Sequence, residues 1–204
     1  MRRHLKLRIK HGLDRAAAAV ALVALAPLMV PIAAAIKLES PGPVFFRQER
    51  LGQDGRALRI FKFRSMVANA EGIDGGRVTR LDSPLVTRFG RFLRTSSLDE
   101  IPQFINVLRG EMSLVGPRPL TSESVRPEDR RRLAVRPGCT GLVVVKGRQA
   151  LSWDQRMALD LWYVDHWSLR LDLEILLKTV PVALMARNVY DASGEMKTRT
   201  PPAP

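Results

Sequence analysis

The hydrophobic–polar pattern is broken most strongly near the N-terminus, where Ala16 to Ile36 carry no charge at all. This run, AAAAVALVALAPLMVPIAAAI, matches the about 20 apolar residues that a helix needs to span a bilayer. Arg2, Arg3, Lys6, Arg8, Lys10 and Arg15 precede it and Lys37 follows. After Pro41-Gly42-Pro43 the pattern changes. Val44-Phe45-Phe46 and Ile60-Phe61-Lys62-Phe63 flank Gly52-Gln53-Asp54-Gly55, which predicts a β-hairpin. Residues 71–84 read as a loop. Ile101, Phe104, Ile105 and Leu108 recur at helical spacing up to Gly110, a helix stop. Arg136-Pro137-Gly138 and Gly141 predict a turn into a short β-rich run, Leu142-Val143-Val144-Val145. From Ser152 the pattern is helical again, and Leu171 to Leu184 is dense in Leu, Ile and Val and broken by Pro181. The tail from Ala192 is polar and Pro-rich, with disorder expected.

Three readings of the apolar run compete. A secretory signal peptide has a basic start, but its apolar stretch is shorter. A straight span with a proline kink is the second. In the third the helix turns back. Pro27 and Pro31 each remove a helix hydrogen bond, predicting a kink or break, and a broken helix can re-enter where its freed carbonyls find partners. Basic clusters favour the cytoplasmic side. Lys37 and the basic segment behind it then share a side with the N-terminus in a re-entrant hairpin, but not in a single span.

Length and charge narrow the partners. The chain has 204 residues, enough for one sizeable core. Lys and Arg number 33 against 20 Asp and Glu, a net charge of +13, which predicts nucleic acid, acidic lipid or phosphorylated substrates. The long apolar run speaks against nucleic acid. Cys139 is the only cysteine, which excludes an intrachain disulfide and a cysteine zinc site. His4, His11 and His166 lack metal-ligand spacing and read as surface or interfacial residues. Trp153, Trp162, Tyr163 and Trp167 lie among charges, as at a membrane interface. The stretch after them fits an amphipathic helix lying on a bilayer and a core helix equally well.

The candidate chemistry is concentrated in Ser97-Leu98-Asp99-Glu100-Ile101-Pro102-Gln103, with Arg91 and Arg94 upstream and Arg118 downstream. Ser97 and Glu100 have capping-box spacing, but that start puts Pro102 where a backbone N–H is needed. Starting at Asp99 or Glu100 places Pro102 in the first turn and both carboxylates at a helix N-terminus. Ordinary capping explains such a pair on its own. The functional reading uses the same physics: the N-terminus lowers a carboxylate pKa, an ionised Asp can attack phosphorus, its neighbour can hold Mg²⁺, and arginines can bind phosphate oxygens. Lys62-Phe63-Arg64-Ser65-Met66 reads on its own as a charged strand edge.

Taken together, several motifs resemble the bacterial sugar transferase family, the monotopic phosphoglycosyl transferases. They are the apolar N-terminal segment with Asp14 and Pro27; Phe45 to Gly52; Lys62 to Met66; Thr87 to Arg94; Ser97 to Gln103; Asn106 to Pro119, ending Gly116-Pro117-Arg118-Pro119; Arg136-Pro137-Gly138; and Leu171-Asp172. The resemblance covers residues 8–185, and the run from Arg94 to Pro119 is its most specific part. It implies an α+β, mainly helical fold. A basic N-terminus and re-entrant membrane helix hairpin occupy 1–40. A small cytoplasmic catalytic domain with a β-hairpin and interfacial amphipathic helices occupies 41–190, and a disordered tail 191–204. The short form of the family, with no membrane domain ahead of the catalytic part, is expected.

The resemblance further implies transfer of a phospho-sugar from a UDP-sugar to polyprenyl (undecaprenyl) phosphate at the cytoplasmic face of the inner membrane. UMP is released and a covalent aspartyl phospho-sugar is the intermediate. Carried over, Asp99 is the nucleophile and Glu100 the Mg²⁺ ligand, with Lys62, Arg94, Arg118, Pro117 and Pro119 contacting substrate or phosphate. The implied partners are the donor, the acceptor and membrane lipid, not nucleic acid, with homo-oligomerisation open. Three positions depart from the family pattern: Ala26-Pro27 stands for the usual Ser-Pro, Ala57-Leu58 for Pro-Phe, and Asp82-Ser83-Pro84-Leu85 for an Asp-x-Arg pattern. The rival from another class is a membrane-anchored basic module that binds anions or lipid without catalysis. It gives no reason for Asp99-Glu100 among arginines.

Overall fold

The structure is a computed structural model that describes residues 3–68, 70, 81, 83–147 and 151–184. Helix α1 (Arg3–Glu39) runs as one assigned helix through both Pro27 and Pro31, so the prolines do not divide it into two. One stripe faces the rest of the protein: Lys10, Asp14, Ala18, Ile32 and Ile36 are buried, with Leu25 and Met29 packed beside them. This three-to-four spacing is one helix face. Val20, Val23, Val30 and Leu38 point outward. Only 11% of the helix's most apolar window is buried. A helix at the centre of a globular core would bury most of its surface; this one is long and apolar enough to cross a membrane, and its exposed face suggests membrane association.

The predicted hairpin forms. Strands β1 (Phe45–Leu51) and β2 (Ala57–Phe63) pair antiparallel, from Phe45 opposite Phe63 to Leu51 opposite Ala57. Asp54 and Gly55 both take positive φ (56° and 76°) in the connection, which is why an Asp-Gly pair suits it. Leu58 and Ile60 join Ala18, Val107 and Met112 in one core cluster, and Phe63 joins Ile32, Ile36, Leu93 and Ile101 in a second.

Helix α2 (Arg88–Ser96) was not legible as an element in the periodicity. Thr87 caps it by accepting from the Gly90 N–H at 2.9 Å, and Ser97 ends it at φ 59°. A side chain at Gly90 would place its Cβ 2.0 Å from the Ser65 carbonyl oxygen, so this close crossing of chains needs glycine. Helix α3 (Gln103–Arg109) stops at Gly110, φ 79°, as expected. Short parallel strands β3 (Ser113–Val115) and β4 (Gly138–Thr140) follow.

Three expectations fail here. The run predicted as β-rich is helix α4 (Leu142–Lys146). Leu142 buries against Val115, Tyr163 and Ile175 with Val145 packed beside them, and this packing overrides the β-propensity of valine. Helix α5 (Trp153–His166) starts with a capping box between Ser152 and Gln155, and α6 (Leu169–Leu184) continues through Pro181 instead of breaking there. The third failure concerns Tyr163, grouped with the interfacial aromatics by sequence: it is 2% exposed and belongs to the third core cluster. Trp153 and Trp162 are exposed. On α6, Ile175 faces the core while Leu173, Leu177 and Val180 line the outer face, so the helix is both a core helix and an amphipathic one. Most of the predicted 71–84 loop, and the tail from residue 185, lie outside the described residues.

Buried polar groups tie α1 to the rest. Lys10 Nζ donates to the Val115 carbonyl (3.1 Å) and Asp172 Oδ2 (2.6 Å). Tyr163 OH donates to the same carbonyl (3.1 Å) and Asp172 Oδ1 (2.6 Å), and Trp167 Nε1 to Asp172 Oδ2 (2.9 Å). Ser113 Oγ donates to Asp14 Oδ2 (2.6 Å). At the other end of α1, Arg64 donates to the carbonyls of Ile36, Ser40 and Pro41, at and just beyond the helix terminus. Asp14, Arg64 and Asp172 thus have their explanation in anchoring one helix at both ends.

Candidate active site

Asp99 and Glu100 lie on a 3-10 turn, Leu98–Glu100, and not in the first turn of α3. Hydrogen bonding shows why. Glu100 N donates to Ser97 O and Ile101 N to Leu98 O, both 3.2 Å. Pro102 has no N–H, so the ladder stops there and resumes with Phe104 N to Ile101 O (3.1 Å). Pro102 is therefore the N-cap of α3. Ser97 makes no capping bond with its side chain, so the capping-box spacing was coincidental.

Lys62, at the end of β2, reaches both carboxylates. Its Nζ is 2.6 Å from Glu100 Oε1 and 3.8 Å from Asp99 Oδ2. Arg118 Nη2 is 3.2 Å from the same Glu100 oxygen. Pro117 and Pro119 are buried on either side of exposed Arg118. Gly138 N holds the Pro117 carbonyl at 2.9 Å. The two prolines stiffen the loop and leave its arginine projecting. Arg94, on α2, donates from Nε to Ser65 Oγ at 2.8 Å. Each position of the Lys62-to-Ser65 stretch therefore has a separate role: Lys62 serves the dyad, Phe63 the core, Arg64 the end of α1, and Ser65 orients Arg94.

Asp99 is 8% exposed. Burial pushes its carboxyl up from 3.8 to about 6, with Glu100 adding to the shift and Lys62, Arg94 and Arg118 opposing it. The expected lowering by a helix N-terminus is thus reversed, because a three-residue turn offers little dipole and burial disfavours the charge. Asp99 lies within electrostatic reach of three cations, Lys62, Arg94 and Arg118. Such a group ionises near neutral pH and keeps basicity, which suits a nucleophile toward phosphorus.

Every predicted side chain except the prolines converges on this dyad. Sequence reasoning missed Ser65, Arg132 and Asp160. Arg132 is 2% exposed, pairs with Asp160 of α5, and donates from Nη2 to the Arg118 carbonyl at 2.7 Å. Nothing in the run Arg130-Arg131-Arg132 distinguishes the buried arginine from its exposed neighbours.

No group of three or more His, Cys, Asp or Glu that could hold a metal occurs among the described residues. Magnesium does not require one, since it is commonly held by one or two carboxylates together with substrate phosphates. Asp99 and Glu100, adjacent carboxylates with Lys62 and Arg118 beside them, fit that arrangement.

Residues 5–186 match the bacterial sugar transferase family. Among similar proteins, a UDP-glucose:undecaprenyl-phosphate glucose-1-phosphate transferase of Caulobacter vibrioides is 46% identical over 89% of this chain and 72% of its own length. A UDP-N-acetylgalactosamine-undecaprenyl-phosphate N-acetylgalactosaminephosphotransferase of Aeromonas hydrophila is 44% identical over 86% of this chain and 44% of its own length. The exopolysaccharide production protein ExoY of Sinorhizobium fredii is 37% identical over 89% of this chain and 88% of its own length.

Proposed function

This chain belongs to the bacterial sugar transferase family, and from that premise we propose that it transfers a sugar phosphate from a UDP-sugar to undecaprenyl phosphate and releases UMP. The observation that carries the reading is the buried Asp99 beside Lys62, with Glu100 held between Lys62 and Arg118. Ionised Asp99 attacks the phosphorus that bears the sugar. The bond from that phosphorus to the bridging oxygen breaks, UMP leaves with the electron pair, and a phospho-sugar stays on the Asp99 carboxylate. An oxygen of the lipid phosphate then attacks the same phosphorus, the bond from phosphorus to the Asp99 oxygen breaks with its electron pair returning to the carboxylate, and the lipid diphosphate sugar forms. Lys62, Arg94 and Arg118 neutralise charge on the phosphoryl oxygens. Glu100 would hold Mg²⁺, which supplies further neutralisation when bound. Successive use of one nucleophile lets a water-soluble and a lipid substrate take turns in one site.

The membrane part of the reading is re-entrant: α1 dips into the cytoplasmic leaflet and its two ends stay on one side. Both ends are packed on the same domain, through Lys10 and Asp14 at one end and Arg64 at the other. A crossing helix would put one of these ends on the far side. The outward apolar face of α6 and exposed Trp162 suit the bilayer surface.

The test is UMP release by the detergent-purified chain with undecaprenyl phosphate, Mg²⁺ and a panel of UDP-sugars. Release with one sugar that is lost in Asp99→Asn and in EDTA supports the reading. Anionic-lipid binding without release, unaltered by Asp99→Asn, would favour the non-catalytic basic module instead.

A further inference from the structure

Asn106 and Glu111 lie in the most specific stretch of the chain, yet the transfer reading gives neither of them a task. Asn106, on α3, is wholly buried. Its Oδ1 accepts from Phe61 N at 3.0 Å, and its Nδ2 donates to the Arg59 carbonyl at 2.8 Å and to Glu111 Oε2 at 2.7 Å. Among the described residues β2 pairs with β1 alone, so its second edge needs other partners. A side-chain amide offers an acceptor and donors, as a peptide unit does, and Asn106 stands in for a third strand at Arg59 and Phe61. A carboxylate can only accept, so Glu111 fixes which end of the amide is the donor.

The two elements joined in this way carry the site. Lys62 directly follows Phe61, and its Nζ lies 2.6 Å from Glu100 Oε1 and 3.8 Å from Asp99 Oδ2. Helix α3 starts from its cap at Pro102, two residues after Glu100, and Asn106 lies one turn into it. Asn106 therefore bonds the neighbour of Lys62 to the helix that continues the dyad turn. Phe63 and Ile101 share a core cluster across the same two elements. Apolar packing is non-directional, whereas hydrogen bonds have narrow distances and angles and so set the spacing.

We propose that Asn106, oriented by Glu111, is a positioning residue that holds the Lys62 ammonium against Asp99 and Glu100. Its effect on catalysis rests on the transfer reading, but its hold on Lys62 does not.

The experiment takes two readouts on the full chain in detergent. One is acetylation of Lys62 by acetic anhydride relative to exposed Lys146, followed by peptide mass spectrometry. The other is UMP release. The Lys62 side chain is 17% exposed, shielded by its ion pair, and gains access to reagent if that hold loosens. Asn106→Asp sets a second carboxylate against Glu111 and removes the donor to Arg59, and adding Glu111→Gln returns a donor to the pair. Asn106→Asp should make Lys62 about tenfold more reactive and slow UMP release about tenfold, the size of one charge-assisted hydrogen bond. The double variant with Glu111→Gln should recover part of both. In a Lys62→Met background, Asn106→Asp should slow release by less than about twofold more, because residues that act through one another are not additive. Glu111→Ala, which frees the amide to turn, should shift both readouts the same way, and it decides the question if Asn106→Asp does not fold. Unchanged Lys62 reactivity in a folded variant overturns the inference, and so do losses of release that multiply with those of Lys62→Met. Raised Lys62 reactivity, with no release by wild type from any donor, keeps the positioning role and sinks the transfer reading. Release by wild type with Lys62 reactivity unmoved in the variants does the reverse.

Discussion

The Lys62 ammonium lies 2.6 Å from Glu100 and 3.8 Å from Asp99, so a single cation serves two adjacent carboxylates. Without it, Arg94 and Arg118 would be left to oppose the effects of burial and Glu100 on Asp99. Lys62→Met should raise the Asp99 pKa further and reduce transfer by on the order of 10²-fold, the scale seen when one preorganised charge-stabilising group is removed. A pH–rate profile checks it: the acid limb should move to higher pH, and an unmoved limb would separate Lys62 from the nucleophile.

In metal-free protein, Asp99 makes stability depend on pH with a definite sign. Its folded value of about 6 exceeds the ordinary 3.8, so the folded state binds this proton more tightly. The stabilising contribution is complete below about pH 4 and is lost as pH rises through 6. The shift of about two units caps the effect at about 3 kcal/mol. Thermal melts in EDTA should show Asp99→Asn gaining on wild type between pH 4 and 7, and parallel curves would contradict the raised value.

A covalent intermediate predicts a species that can be trapped. Incubated with its UDP-sugar and no lipid acceptor, the wild-type chain should gain the mass of one phospho-sugar, and Asp99→Asn should gain none. Glu100→Gln should also lose transfer, while both variants still float with vesicles. Full turnover by Asp99→Asn would end the covalent mechanism.

Asp172 receives Lys10, Tyr163 and Trp167 together. Asp172→Asn leaves buried Lys10 with Asp14, at 3.6 Å, as its remaining ion-pair partner, and should destabilise the fold by on the order of 3 kcal/mol. Tyr163→Phe should cost about 1 kcal/mol through the lost hydrogen bond. Chemical denaturation in detergent measures both. Equal stability of Asp172→Asn and wild type would mean that α1 is anchored elsewhere.

Elements with local causes were the legible ones. The Asp54-Gly55 hairpin, the Gly110 stop and the start at Ser152 each follow from the conformational preference of one or two residues. The valine helix and buried Tyr163 were not legible, because each is decided by partners distant in the chain. Asp99 illustrates both sides. Its place beside a turn and a proline was visible, but the sign of its pKa shift was not, since burial depends on what packs around it.

By itself the sequence determined the family, the identity of the acid pair and its basic companions, and the existence of an apolar segment too long and too uncharged for a soluble loop. These are properties of composition and short-range spacing. Tertiary structure alone decided that Lys62 and Arg118, 56 positions apart, meet on one oxygen of Glu100. It alone decided that Arg132 is buried and its neighbours are not, and that both ends of α1 are bound to one domain. Such contacts join residues from separate elements, and only the packing of those elements sets the distances on which charge interactions depend.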